Sequence, residues 1–418
     1  MSITGSMFVA SSAMESFGNS IEVVGNNISN SNTVGFKTSR VQFADLLPSI
    51  NGDLEIGRGT RLTDVSKPFQ QGGLETTPND TDLALEGNGF FVVKDPASGT
   101  SYYTRAGEFH LDSTGKLVDP SGFVLQGTAG DLDLGGATTV AAKATSTMAF
   151  QMNLDASAVT PASSFPASSD ASKSAWFSAS NFAAVQTIYD SDGTTHDLTF
   201  LFRKTAPNTW EYRVVAQRNE LDPSAPNSSE LREVATPGSL VFTSDGQLDT
   251  GLSNVTDISG LTWNGGAAQS ISGGSVDFAG TIQYGQPSVV SASSQDGFAE
   301  GSLAGFTIDS QGVVTARYTN NTTTELGTIA LANFFNVDDL DPHGDTLFLP
   351  TLESGAATIG VPDQDGFGSI VSGALEMSTV DLAEQFVALI STQRAFQVNS
   401  RIITTADQMY AEAVNLKP

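Results

Sequence analysis

The apolar positions at the N-terminus recur in a heptad rhythm. Ile3, Met7, Ala10, Met14, Phe17, Ile21, Val24 and Ile28 are spaced four, three, four, three throughout, the pattern of a coiled-coil seam. At about 1.5 Å per residue such a helix is roughly 40 Å long. The C-terminal stretch from Leu375 has no Pro or Gly up to residue 416, and Leu375, Leu382, Leu389, Phe396, Ile403 and Tyr410 recur every seven residues. Ala388, Ala395, Ile402 and Met409 form a second row beside them, and Gln385, Thr392 and Asn399 occupy the remaining core-like row. The result is a broad amphipathic stripe and not a clean leucine zipper. Ser378-Thr-Val-Asp381 supplies capping residues for the start of this helix. Neither stripe is stable in water alone. Two arrangements stay open: a helix pair within the chain, and a pair that also packs against copies of itself. Either way, both ends of the chain meet and the intervening residues project outward.

The middle is β. Residues 89–126 alternate short apolar runs with Asp95-Pro-Ala-Ser-Gly99, Asp112-Ser-Thr-Gly115 and Asp119-Pro-Ser-Gly122, all turn sequences. "FHLDSTGKL" from Phe109 returns as "FTIDSQGVV" from Phe306 and, more loosely, as "VFTSDGQL" from Val241. With no fixed period, this is shared hairpin chemistry and not a solenoid. Residues 154–179, rich in Ala and Ser with two prolines, read as a surface loop or linker. Strand patterns in the style of 89–126 resume after about 290. The expected fold class is therefore multidomain α+β: terminal helices forming a coiled-coil domain, plus two mainly β domains, the second inserted in the first. The expected limits are 1–30 and 372–418 for the helical domain and 31–75 and 355–371 for linker segments. The inner β domain takes 76–146 and 291–354, and the inserted outer β domain 147–290.

Composition and charge sharpen this nesting. The chain has 418 residues, 41 Gly, 25 Phe, no Cys and a formal charge of −27. A disulfide scaffold and thiolate chemistry are excluded, and so is a nucleic-acid partner, which requires a basic surface. Residues 1–30 and 372–418 each carry −2 and residues 31–70 carry +1, which leaves −24 on residues 71–371. Near-neutral helical ends associate without much self-repulsion while acidic outer domains stay solvated. Residues 1–30 hold Glu15 and Glu22 and no Lys or Arg, unlike the basic start of a secretory signal peptide. No apolar run is long enough to span a bilayer, so membrane insertion is not expected.

Candidate chemistry is sparse. His110, His196 and His343 are far apart in the pattern, and without Cys a zinc site needs an unusual ligand set. Asp190-Ser-Asp192-Gly193 has the opening of a calcium loop without its later Glu or flanking helices, so a hairpin turn is expected. Gly87-Asn88-Gly89 precedes a strand and is no phosphate loop. Asn27-Ile28-Ser29 and Asn320-Asn-Thr322 match the glycosylation acceptor formally, as chance provides in a chain this rich in Asn, Ser and Thr. No catalytic residue, cofactor or metal site is expected.

Three stretches carry a family resemblance. "GNNISNSNTVGFK" from Gly25 resembles the N-terminal signature of the bacterial flagellar axial proteins, the rod and hook subunits. Residues 375–416 are similar to their shared C-terminal helix, and "LALEGNGFFVVKD" with "YYTRAGEFHLDSTGKLVDPSGFVLQG" to their common β domain. Rod subunits are shorter and lack a large second domain, so the insertion of about 145 residues resembles that of hook subunits. The resemblance implies a helical homopolymer with the terminal helices lining a channel, the β domains in outer layers, and torque carried from rod to filament. Implied partners are further copies of the chain, the distal rod, hook cap and hook–filament junction proteins, and the flagellar type III export apparatus. The implied location is the hook and basal body, outside the cell, reached without a cleaved signal peptide.

On the helical pattern, the candidate assembly residues are Ile3, Met7, Met14, Phe17, Ile21, Val24, Ile28, Leu382, Phe386, Leu389, Phe396, Ile403 and Tyr410. Core packing within the chain is an equal account of them. Asn26, Asn27, Asn30, Asn32, Gly35 and Phe36 carry the family signature. Their amides suit a helix end, or a bond to a neighbouring subunit. A distal rod or junction subunit, and an acidic secreted adhesin, are the alternatives.

Overall fold

The computed structural model describes residues 3–46, 49–51, 54–56, 58–222, 224–225, 228–264, 268–271 and 276–415. Its α-helices are α1 (Ile3–Ser29), α2 (Lys173–Ser178), α3 (Arg218–Leu221) and α4 (Leu382–Asn415); the other regular structure described is 3-10 turns at Gly135–Ala137 and Val337–Asp339 and strands of up to 12 residues. The chain divides into two compact units. The first comprises Met1–Ala137, Gly305–Arg317 and Thr323–Pro418, and the second Thr138–Ala304 and Tyr318–Thr322. The second unit is thus wider at both ends than the 147–290 expected from composition.

In the first unit the central sheet is antiparallel. Its strands run in the order Asp341–Gly344, Leu347–Leu349, Ser101–Thr104, Phe90–Lys94, Val124–Gly127, Leu117–Val118, His110–Leu111. The run Phe90-Phe91-Val92-Val93 is buried throughout, as a strand covered on both faces must be. Phe91 and Val93 join a core with Leu83, Leu125, Val314, Ile329 and Leu331. Phe90 and Val92 pack on the other side with Tyr103, Phe334 and Phe348.

The expected linker 31–75 contains paired strands among its described residues. Arg40–Asp45 and Thr60–Ser66 form an antiparallel ribbon with a bulge between Gln42 and Phe43. The ribbon lies along α1: the Phe17 and Phe43 rings are 5.9 Å apart, and Ser16 Oγ donates to the Thr60 carbonyl at 3.3 Å. Near the other terminus, Leu375 is not in the helix that its heptad row suggests. Ala374–Glu376 is a strand paired with Leu74–Thr76, entered through Gly373 at φ 68°. These backbone pairings hold the segment extended, so α4 starts only at Leu382. Asp381 caps it, accepting from Ala383 N at 2.8 Å and Glu384 N at 3.3 Å.

The second unit is built on an antiparallel sheet ordered Asp170–Ser172, Glu230–Glu233, Thr209–Gln217, Thr195–Ala206, Phe182–Tyr189. Phe200, Phe202, Trp210, Tyr212 and Val214 pack on one face with Phe150, Met152 and Phe278. On the other face Leu201 and Val215 meet Phe165, Trp176, Ala179 and Leu231. Residues 156–169 are irregular, as the loop reading of 154–179 expected, but the stretch is not a free surface loop. Two large aromatics embedded in the Ala/Ser-rich stretch cover the sheet's second face, α2 carries Trp176 there, and the indole Nε1 donates to the Leu231 carbonyl at 3.2 Å.

One turn recurs in both units and accounts for the two closer copies of the repeated motif; in the looser copy Thr243 takes the aspartate's place, its Oγ1 accepting from Gln247 N at 3.3 Å. In Asp112-Ser-Thr-Gly115, Asp119-Pro-Ser-Gly122, Asp190-Ser-Asp-Gly193 and Asp309-Ser-Gln-Gly312, the aspartate Oδ1 accepts from the backbone N–H two and four residues on. The glycines have φ of 85°, 88°, 81° and 75°, a region that L side chains disfavour. The calcium-loop look-alike is therefore a hairpin turn. Asp296 braces the second unit in a related way. Burial alone would raise its carboxyl pKa. Bonds from Thr147 N, Lys143 Nζ, Ser146 Oγ and Ser146 N outweigh that and hold it well below the usual carboxylate range.

Candidate functional site: the terminal helix pair and its buried junction

α1 and α4 pack against each other antiparallel. Asn27, near the end of α1, bonds Gln385 in the first turn of α4, while Ser6 at the other end of α1 shares a cleft with Ile402, Ala406 and Met409. The row that α1 buries is made of small and polar residues: Ala10, Ala13, Ser16, Ser20, Val24 and Asn27. Small side chains let the backbone approach its neighbours closely. On α4 the buried positions are Gln385 and Ala406, with Ala388, Leu389, Thr392, Ala395, Phe396, Asn399 and Ile403 half-buried. Thr392 Oγ1 and Asn399 Nδ2 donate to the carbonyls of Ala388 and Ala395 at 2.8 and 2.9 Å. These polar groups are satisfied by their own helix, so they enter the seam at little cost.

The large apolar side chains lie elsewhere. Phe8 on α1 and Leu382, Phe386, Val387, Ile390, Val398, Ile402, Met409 and Tyr410 on α4 are all exposed. Val387 is 68% exposed, Ile390 51% and Phe386 49%, too many on one helix to be the scattered apolar residues of an ordinary surface. Of the residues picked from the heptad pattern, Val24 is buried, and Met7, Met14, Phe17, Ile21, Ile28, Leu389, Phe396 and Ile403 are half-buried. Leu382, Phe386 and Tyr410 face solvent. Ile3 opens α1, but its side chain lies outside the described residues.

The Asn-rich signature ends α1 and ties it down. The Asn27 amide is buried and bonds three groups: Nδ2 donates to the Ser39 carbonyl at 2.8 Å and to Gln385 Oε1 at 3.0 Å, and Oδ1 accepts from Ser39 N at 2.9 Å. Asn30 Nδ2 donates to the Asn26 carbonyl and side chain, and its Oδ1 accepts from Thr33 Oγ1, which closes the last helical turn. Asn32 is exposed. Gly35 has φ 70°, and a Cβ there would sit 2.5 Å from Ala106 N, so only glycine fits. Its N–H donates to the Glu376 carbonyl at 2.7 Å, and the Phe36 carbonyl accepts from Thr379 N at 3.1 Å. Replacing Asn27 by Ala leaves the buried Ser39 N–H and C=O without these partners. The expected cost is about 2–4 kcal/mol of folding free energy, read from urea unfolding followed by circular dichroism, against less than about 0.5 kcal/mol for exposed Asn32→Ala. Equal effects of the two would contradict this geometry.

Beneath the signature lies a charge cluster that the sequence did not signal. Glu376 Oε1 is 2.5 Å from Lys37 Nζ and its Oε2 is 3.4 Å from Arg105 Nη1, with all three side chains almost fully buried. Gly72 N also donates to Oε1 at 2.7 Å, Lys37 Nζ donates to the Gln70 carbonyl at 2.7 Å, and Arg105 Nη2 to the Gly87 carbonyl at 2.8 Å. Burial pushes the Lys37 and Arg105 pKa values down, and Glu376 opposes that shift in both. The only sequence cue was charged residues closing apolar signatures, in "VGFK" and "ALEM". Their separation of 339 positions hides the pairing.

His196 lies between Asp190 Oδ2 at 3.1 Å and Glu220 Oε2 at 2.9 Å and stacks on Trp263, and His343 packs on Tyr102. Among the described residues no group of His, Asp and Glu has the geometry to hold a metal ion.

Comparisons with known proteins bear on the same segments. Residues 7–37 match the family described as Flagella basal body rod protein, and 371–416 the Flagellar basal body rod FlgEFG protein C-terminal family. Residues 84–160 match the Flagellar hook protein FlgE/F/G D1 domain, and 153–298 the Flagellar basal body protein FlaE D2 domain. The flagellar hook protein FlgE of Salmonella typhimurium is 32% identical over 423 residues, covering 98% of this chain and 99% of that protein. FlgE of Rhizobium meliloti is 33% identical over 420 residues and covers all of both chains. The crystal structure of Helicobacter pylori flagellar hook protein FlgE2 superposes with a TM-score of 0.51 at 13% identity, covering 72% of this chain and 100% of that one; at that identity the likeness is one of fold. With helical ends that pair, β units between them and identity along its whole length to these relatives, the chain belongs to the flagellar hook protein family.

Proposed function

We propose that this chain polymerises into a curved tube that acts as a universal joint, carrying motor torque from rod to filament. The observation that carries the reading is the large apolar surface left open on the paired terminal helices of a chain whose charge lies mostly elsewhere. An apolar surface of this extent marks a contact with a partner. The role is structural and not catalytic. Among the described residues no helix is long and apolar enough to cross a membrane, which fits a subunit held in place by protein contacts.

In this reading the helix faces bearing Met7, Met14, Phe17, Ile21, Ile28, Leu382, Phe386, Leu389, Phe396, Ile403 and Tyr410, with Ile3 before them, pack between copies near the axis, while Val24, expected there too, is buried within the chain. The signature residues Asn26, Asn27, Asn30, Asn32, Gly35 and Phe36 mark the exit from axial helix to β body. The inserted domain expected at 147–290 falls within the second unit, Thr138–Ala304 with Tyr318–Thr322. The further partners are the distal rod, hook cap and hook–filament junction proteins, with delivery outside the cell by the flagellar type III export apparatus. Bending during rotation requires β-unit contacts with several nearly equal arrangements, while the helices carry the load.

Electron microscopy of the purified chain at raised salt tests this. Curved tubes that continue to lengthen are expected. Assembly that halts at a fixed short length would favour a junction or distal rod subunit, and a stable monomer under all conditions would overturn the reading.

A further inference from the structure

A second cleft borders the signature, on the side away from α4's first turn. It holds about 300 Å³, room for roughly ten waters at ~30 Å³ each. Asn26, Asn30 and Phe36 form one wall, Lys67 another, and Asp345, Thr346 and Phe348 the third; the Asp345 carboxylate lies at the rim and makes no bond to Lys67. All belong to the first unit.

Lys67 is the unusual member. It is half-buried, and its Nζ stands 5.8 Å from the centre of the Phe348 ring. It has no hydrogen-bond or ion-pair partner among the described residues; burial lowers its pKa, and the Asp341 carboxylate opposes that shift from beyond bonding distance. In a chain with 46 acidic and 19 basic residues, a lysine facing a cleft without a bonded carboxylate is a place with an open requirement. Lys37, which also lines the cleft, is already committed to Glu376 and the Gln70 carbonyl.

The third wall is strained. Asp345 and Thr346 form the two-residue turn between Asp341–Gly344 and Leu347–Leu349, at φ 48° and 58°. Asn-Gly is the usual occupant of such a turn, and a β-branched residue there is a conformational outlier. Strain of this kind persists where a function retains it. Thr346 is half-buried at the cleft, while the residues before it in the turn are exposed.

We propose that this cleft receives an aspartate or glutamate side chain of a second copy of the chain, with Lys67 as its cation and the Asn26–Asn30 edge and Thr346 as its polar walls. A second copy is the occupant that the charge balance favours, since its surface is dense in carboxylates. The cleft also adjoins α1, part of the helix pair whose apolar surface calls for further copies. The inference rests on the self-assembly reading above. It adds a specific electrostatic contact to apolar packing, and such contacts fix register and partner choice more than bulk affinity.

The test uses the full chain and measures the critical concentration for polymerisation by sedimentation, at one fixed salt concentration. Lys67→Met keeps the apolar stem and is expected to raise the critical concentration roughly tenfold, Lys67→Glu substantially further, and Lys67→Arg little. The thermal midpoint of each monomer reports the fold separately. A loss with Met that Arg restores, at unchanged midpoint, supports the contact. Polymerisation of Lys67→Met at the wild-type concentration overturns it and leaves the assembly reading standing. So does a loss that tracks a lowered midpoint in all three variants. A wild-type chain that never polymerises overturns both.

Discussion

Replacing Glu376 by Gln is expected to cost about 3–5 kcal/mol of folding free energy. The reason is the charge balance of the junction: one carboxylate serves two buried cations, Lys37 and Arg105. Glutamine keeps the shape and an acceptor for Gly72 N, but leaves both cations dry and uncompensated. Taking two ions out of water is offset only by their mutual attraction and by hydrogen bonds, so removing the shared partner is far worse than never having built the cluster. The same argument predicts an asymmetry. Lys37→Met leaves Glu376 paired with Arg105, one charge against one, and should be clearly milder than Glu376→Gln. The double variant Lys37→Met, Glu376→Gln should cost less than the two single losses added, because it strands only Arg105. Urea unfolding of the full chain, followed by circular dichroism, measures all three. A loss below about 1 kcal/mol for Glu376→Gln, or a Lys37→Met variant that is the less stable single, would show that the cluster is not held as described.

The second large effect is on assembly and not on folding. Phe386, Val387 and Ile390 lie exposed on the first turns of α4. Half-exposed side chains of this size each release about 1–1.5 kcal/mol when a partner covers them, at roughly 25 cal/mol per Å². Changing all three to Ser removes about 3–4 kcal/mol per subunit from assembly, or two to three orders of magnitude in critical concentration. The unfolding midpoint of the monomer should hardly move, because these side chains contribute little to the chain's own core. Sedimentation and electron microscopy read the first quantity and thermal unfolding the second. Tubes forming at the wild-type concentration would remove α4's outer face from the interface. A monomer destabilised in proportion would mean that this face packs within the chain.

Both experiments concern features that differ in how far the sequence revealed them. The extent of α1 was legible, because an unbroken heptad rhythm ending in an Asn cluster specifies where a helix runs and stops. The repeated Asp-x-x-Gly turns were legible too, since the aspartate side chain and the glycine φ are local devices that need no tertiary partner. So was the α+β class. The face of α1 that turns inward was not. Apolar periodicity marks where large side chains lie, whereas packing of two helices against a ribbon favoured Ala10, Ala13, Ser16 and Ser20, whose small size permits close approach. The stretch 154–179 misled in part because its composition is that of a loop, and only the uncovered second face of a sheet gives Phe165 and Trp176 their place.

By itself, then, the sequence determined the local elements and their order: helical ends, Asp-Gly hairpins, an acidic β middle and the family signature. Short-range geometry dictates these, since backbone φ, capping and side-chain period act within a few residues. Only the tertiary structure decided which apolar surface is spent inside the chain and which is left for other copies. It alone brought Lys37 and Arg105 to Glu376, and left Lys67 beside an open cleft. Those outcomes depend on contacts across hundreds of residues, where the loss or gain of water at a charge is set by what the fold places next to it.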